Sequence, residues 1–254
     1  MNAFRFLLLF FFVAAMSPAF SQTDDHGDVF DCGQVDMTRK FLDAHPELIP
    51  EVEQAEAELE EFTRQFAASS QMKNGTHIIP VVFHVVHVNG SENISDEQIH
   101  SAIEVLNEDF SATNAEISGV VSEFADLVAD VGIEFRLARL DPWGNCTNGI
   151  NRVVSQTTHD GGDFALKQAV PSWGRSKYLN IWVVKTIPGN VVGFSQLPPS
   201  VNGSFGAQID GIVMQHDYVG RIGTSNVNRS HTLAHETGHW LNLLHTWGNG
   251  EVGD

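Results

Sequence analysis

Apolar residues fall in two kinds of pattern along the 254 residues. The stretch Ile78-Ile-Pro-Val-Val-Phe-His-Val-Val-His-Val88 is β-branched and apolar at nearly every position, so it reads as a strand buried on both faces. Pro80 stands near its start, where a missing N–H is tolerated. His84 and His87 lie on this strand three residues apart. They therefore face opposite sides and read as structural. Four further runs read as strands: 133–138, 178–185, 191–197 and 210–214. Gly193 within the run 191–197 and Pro198-Pro199 after it suit a sheet edge.

The helical period appears in three places. Ser95-Asp-Glu-Gln98 is a capping box. It opens a helix to about Phe110 with Ile99, Ile103, Leu106 and Phe110 on one side. After Pro50, the residues Val52, Ala55, Leu59, Phe62 and Phe66 form a single apolar stripe between glutamates, which needs a surface to lie on. That helix is either a surface helix of the main domain or part of a detachable segment. A last helix starts near Ser230 or Thr232. Loops dense in turn residues, 141–149 and 160–163, separate the strands. Strand, helix, several strands and a final helix imply an α/β (α+β mixed) sheet packed with helices.

The pattern divides the chain. Met1 to Ser21 carries Arg5, an apolar run from Phe6 to Met16 and a small-residue exit, so 1–21 reads as a secretory signal peptide cleaved before Gln22. The run is too short for a comfortable membrane span. Residues 22–74 read as a pro-segment, ending in the turn-rich, cleavable stretch Ser69-Ser-Gln-Met-Lys-Asn-Gly75. Residues 75–254 read as the catalytic domain.

Charge narrows the function. Fourteen basic side chains against 32 acidic ones give a net charge of −18, which argues against nucleic acid and anionic membrane as partners. Two cysteines, Cys32 and Cys146, enter an oxidising compartment and are able to form one disulfide. Asn74, Asn93, Asn145, Asn202 and Asn228 stand in glycosylation sequons.

The chemistry concentrates at His235-Glu-Thr-Gly-His239-Trp-Leu-Asn-Leu-Leu-His245. Histidines at i and i+4 of a helix share a face and can reach one metal ion, while Glu236 stands beside that ion as a general base. His245 is six residues past His239 and is reached only if the helix stops and the chain turns back. A left-handed residue makes such a turn, and Asn242 is the side chain that adopts it most readily after glycine. Cys32 offers a thiolate, an excellent zinc ligand. Three arrangements stay open for it: a fourth ligand that excludes water, a disulfide with Cys146, or a free or intermolecular thiol.

The run Leu233-Ala-His-Glu-Thr-Gly-His-Trp-Leu-Asn-Leu-Leu-His-Thr-Trp247-Gly248 resembles the pappalysin family of metzincin zinc metallopeptidases, in which glycine or asparagine follows Gly-His-Trp-Leu. The stretches Asp141-Pro-Trp-Gly-Asn145 and Gly149-Ile-Asn-Arg152 resemble the family too. So does the Asp-Cys-Gly context of Cys32, for which a cysteine switch is proposed there. The resemblance implies a metzincin-like upper subdomain, with a twisted, mostly parallel five-stranded sheet, a backing helix and an active-site helix. It implies Zn2+ held by His235, His239 and His245, with Cys32 as a fourth ligand in a latent form, and Ca2+ in the full-length protein. It implies hydrolysis of peptide bonds with Glu236 as base, protein or peptide substrates and a secreted location. The edge strand 191–197 would pair with the substrate backbone.

All five methionines precede His235, so no methionine-bearing turn can be placed beneath the metal. The expectation is therefore a chain lacking the lower subdomain. This keeps a second reading open, a non-catalytic zinc-binding interaction module. A thermolysin-like site, with a glutamate as third ligand, is a third.

Overall fold

The long strand read at 78–88 is the spine of the observed sheet. The computed structural model describes residues 31–68, 75–162, 164–201 and 203–246. The signal peptide, the cleavable linker at 69–74 and the end of the family-like run at 247–248 lie outside these residues, as do Asn74 and Asn202.

The described residues begin with β1 (Asp31–Cys32), α1 (Gln34–Ala44) and α2 (Ile49–Ala68). Then come β2 (His77–His87), α3 (Asp96–Phe110), β3 (Ile133–Leu137), β4 (Ile150–Val154) and α4 (Phe164–Ala169). The last elements are β5 (Leu179–Val184), β6 (Val191–Ser195), α5 (Gly203–Gly206), β7 (Ile212–Gln215) and α6 (Thr232–Trp240). All five expected strands form. Two more join them, so the described sheet has seven strands rather than five.

One edge of β2 pairs in parallel with β5. Along its other edge β3 occupies positions 77–81 and β4 positions 83–87 in succession, both parallel. This shared edge explains why β4 escapes a periodicity search: its five residues, Ile150–Val154, follow the turn at Gly149 and carry Asn and Arg. On the far side β5 pairs with β7 in parallel, β7 with β6 antiparallel, and β6 with β1 in parallel. Every pairing in the sheet is thus parallel except that between β6 and β7, so β1 and β6 run opposite to the other five strands.

Both faces of β2 are covered, which accounts for its unbroken apolar run. Val81, Phe83 and Val85 meet Ile99, Leu106 and Leu233 from α3 and α6. Val86 faces the other way, toward Leu166, Trp182, Val191 and Phe194. His84 lies fully buried, stacked on Trp182 at 5.0 Å between ring centroids. Its Nε2–H donates to Asn180 Oδ1 and its Nδ1 accepts from Asn151 Nδ2. Burial pushes its pKa down to about 4, so the ring stays neutral and structural.

The capping box forms by half. Ser95 Oγ accepts from the Gln98 N–H, but the Gln98 amide turns away and donates to the carbonyls of His216 and Val219. Gln98 thereby ties α3 to the loop that leads into α6. The stripe on α2 is also covered by half: its start packs on the turn Pro198–Val201, while Phe62 remains 64% exposed.

Candidate metal centre

α6 carries His235 and His239 one turn apart, and the two Nε2 atoms lie 3.1 Å from each other. The helix then stops. Asn242 takes φ +71°, the N–H of Leu243 donates to Gly238 O at 2.9 Å, and the N–H of Asn242 donates to His239 O at 2.8 Å. This is a Schellman turn, with asparagine at the left-handed position usually given to glycine. The reversal brings His245 Nε2 to 3.1 Å from His239 Nε2 and 3.3 Å from His235 Nε2.

β1 closes the group from the other side. It pairs with β6 so that Cys32 stands opposite Gly193, and the Gly33 N–H donates to Gly193 O at 3.1 Å. Cys32 Sγ lies 3.4 Å from His239 Nε2. The four ligand atoms of Cys32, His235, His239 and His245 all fall within 4.8 Å of one another. Cys32 and Cys146 are therefore not bonded to each other, and Cys146 is exposed on the 141–149 loop. The disulfide arrangement is excluded because pairing on β6 holds Cys32 in the histidine group.

The donor set fits zinc. With Zn–N near 2.05 Å and Zn–S near 2.3 Å, tetrahedral edges are about 3.3 Å between nitrogens and about 3.6 Å between nitrogen and sulfur. The three nitrogen–nitrogen separations and the Cys32–His239 separation lie within a few tenths of an ångström of those edges. His239 Nδ1–H donates to Leu243 O at 2.7 Å, which leaves its Nε2 with the lone pair facing the group. Burial, followed by the neighbouring imidazoles, lowers His235 to about 4. Burial likewise lowers His239 and His245. Neutral imidazoles are the metal-binding form.

Glu236 points off the histidine face and is wholly buried. Burial pushes its carboxyl up to about 8, against smaller pulls from the Cys32 thiol and the Ser195 N–H. Neither contact reaches hydrogen-bond geometry, so both carboxylate oxygens lack a donor among the described residues. A buried carboxyl without donors beside a cation-binding group is poised to exchange a proton.

Gly193 admits this side chain. A Cβ there would sit 3.2 Å from Glu236 Cγ and 2.8 Å from Met214 Sδ. Sequence reasoning took Gly193 only as a mark of a sheet edge and passed over Ser195 and the Leu243 carbonyl. The first had a signal, since an isolated glycine within a strand marks a close approach. The other two act through backbone groups, which no residue type announces.

Residues 163–254 match the family described as "Pregnancy-associated plasma protein-A". An extracellular metalloprotease of Pyricularia oryzae is 27% identical over 225 residues, which are 87% of this chain and 66% of that protein. Mature mirolysin of Tannerella forsythia, solved in complex with a cleaved peptide, is 40% identical with a TM-score of 0.63, covering 69% of this chain and 66% of that one. A mutant of Tannerella forsythia promirolysin is 34% identical with a TM-score of 0.68, covering 86% of this chain and 70% of that one. The chain thus spans about two thirds of the length of these proteins. No described helix is long and apolar enough to cross a membrane.

Proposed function

The chain belongs to the pappalysin family of metzincin metallopeptidases, and from that premise we propose that it is a secreted zinc endopeptidase made in latent form. His235, His239 and His245 would hold the zinc through Nε2, with the Cys32 thiolate added while the pro-segment (22–74) remains. When bound, zinc supplies a Lewis acid for the scissile carbonyl and acidifies a water. Glu236 removes the proton from the attacking water and passes it to the leaving amine. Its buried seat between α6 and Gly193 keeps that proton from bulk solvent.

The edge of β6 binds an extended substrate by strand addition, which takes peptides with little demand on side chains. In the latent form β1 fills that edge. It runs parallel to β6, whereas an antiparallel guest makes the straighter and stronger ladder. The pro-segment is thus a guest of reversed direction, held by Cys32 and displaced when the linker is cut. The names of the relatives support secretion, and Met1 to Ser21 supports it as a leader.

The observation that carries this reading is the meeting of three imidazole nitrogens and one thiol at tetrahedral spacing beside an unpartnered buried carboxyl. Casein hydrolysis by the processed protein tests it. Activity in wild type that disappears in Glu236→Gln, with zinc content unchanged, is the expected result. Zinc bound at full occupancy with no hydrolysis by wild type would instead favour a non-catalytic zinc module.

A further inference from the structure

α1 does not seat tightly on the domain. Between it and the sheet lies a cavity of about 190 Å³, lined by Met37 and Phe41 from α1 and by Phe164, Phe194, Gln196 and Ile209 from the domain. The cavity opens from the end of β6, the strand assigned to substrate. The path between them is continuous. Gly33 lies against Val191 and Phe194, Thr38 Oγ1 donates to Gln196 Oε1 at 2.9 Å, and the Met37 methyl rests near Gly162.

We propose that this groove, once α1 leaves it, is a substrate subsite that takes a large apolar side chain on the N-terminal side of the cut bond. The inference rests on the peptidase reading above and deepens it. Its occupant is argued from the present one, because α1 partly covers the groove with Met37 and Phe41. Its position follows from direction. An antiparallel guest on β6 has its N-terminal residues beside the C-terminal end of that strand, toward Gln196. At about 3.3 Å per residue, the groove receives the side chain about three to five residues before the one opposite Gly193. The wall is apolar: Phe164, Phe194 and Ile209 provide it. Lys167 is held by the Ile209 and Asp210 carbonyls below and is spent.

The test is fluorescence polarisation with labelled extended peptides of one sequence, carrying phenylalanine or serine at those positions, and a third with phenylalanine at the mirrored positions on the C-terminal side. The protein is the full chain with Glu236→Gln, so that no peptide is cut, together with Cys32→Ser and Phe41→Asp, which loosen β1 from β6 and α1 from the groove. Phenylalanine is expected to tighten binding about tenfold, the lower end of what burying one large apolar side chain yields. Adding Phe164→Ser should abolish that difference, and the wild-type chain should bind none of the peptides. Should Phe41→Asp lower the Tm sharply, Met37→Asp in its place releases the same helix. Equal binding of the first two peptides, a preference that survives Phe164→Ser, or a preference seen only with phenylalanine on the C-terminal side would each overturn the proposal. Polarisation needs no turnover, so a failure of casein hydrolysis leaves this readout standing.

Discussion

Asn242 is the position where backbone conformation and metal chemistry are most directly linked. Its φ of +71° reverses the chain so that His245 faces His235 and His239. Replacing it with valine leaves every ligand in place and changes only the cost of the turn. A β-branched residue in the left-handed region costs about 1–2 kcal/mol, whereas glycine costs nothing there. That cost falls on the closed turn relative to an open one. Zinc binds only the closed turn, so it must supply the difference. Asn242→Val should therefore weaken zinc affinity about 5- to 30-fold, while Asn242→Gly stays within about threefold of wild type. Competition with a chromophoric chelator at fixed pH reads the affinity. Calorimetry without metal reads any part of the cost that falls on the fold instead, and the two parts should add to the same total. If Asn242→Val binds zinc as tightly as Asn242→Gly and melts at the same temperature, the turn does not position the third imidazole and the argument fails.

Removing the thiol in Cys32→Ser should raise casein hydrolysis by the uncut chain about tenfold or more, because the proposed thiolate–zinc bond would be what holds β1 on β6. Unchanged latency would show that β-pairing alone closes the site. Gly193→Ala puts a methyl against Glu236 and Met214, and should lower kcat about 10- to 100-fold with zinc content intact. An unaltered kcat would mean that Glu236 does not need this seat. His84 is depressed to about 4 from 6.5, so the folded state prefers it neutral. Its contribution is complete above pH 6.5 and is lost as pH falls toward 4, on the order of 3 kcal/mol. Urea unfolding should show that slope for wild type and a shallower one for His84→Gln; parallel slopes would contradict it.

The metal group was legible because its chemistry is written in local spacing. Positions 235, 239 and 245 are close in sequence, and the turn between them depends on one residue type whose left-handed preference is known. The β-branched run at 78–88 was legible for a similar reason, since burial on both faces leaves no polar alternation. β1 and α1 were not. A two-residue strand has no period, and α1 places Asp36, Arg39 and Lys40 among its apolar positions. β4 was likewise hidden in what read as a family motif within a loop.

What the amino-acid order determined by itself is the cluster of three histidines, the carboxyl beside it and the strand that anchors the sheet. Each depends on contacts within one element or one turn. Tertiary structure alone decided that Cys32, more than two hundred residues from His239 in sequence, joins the histidines rather than Cys146. It also decided that Glu236 is sealed beneath Gly193 without a hydrogen-bond donor among the described residues, and that β1 occupies the free edge of β6 in parallel. These are contacts between distant segments, set by which sheet edge is open and which helix face must be covered, and no local pattern encodes them.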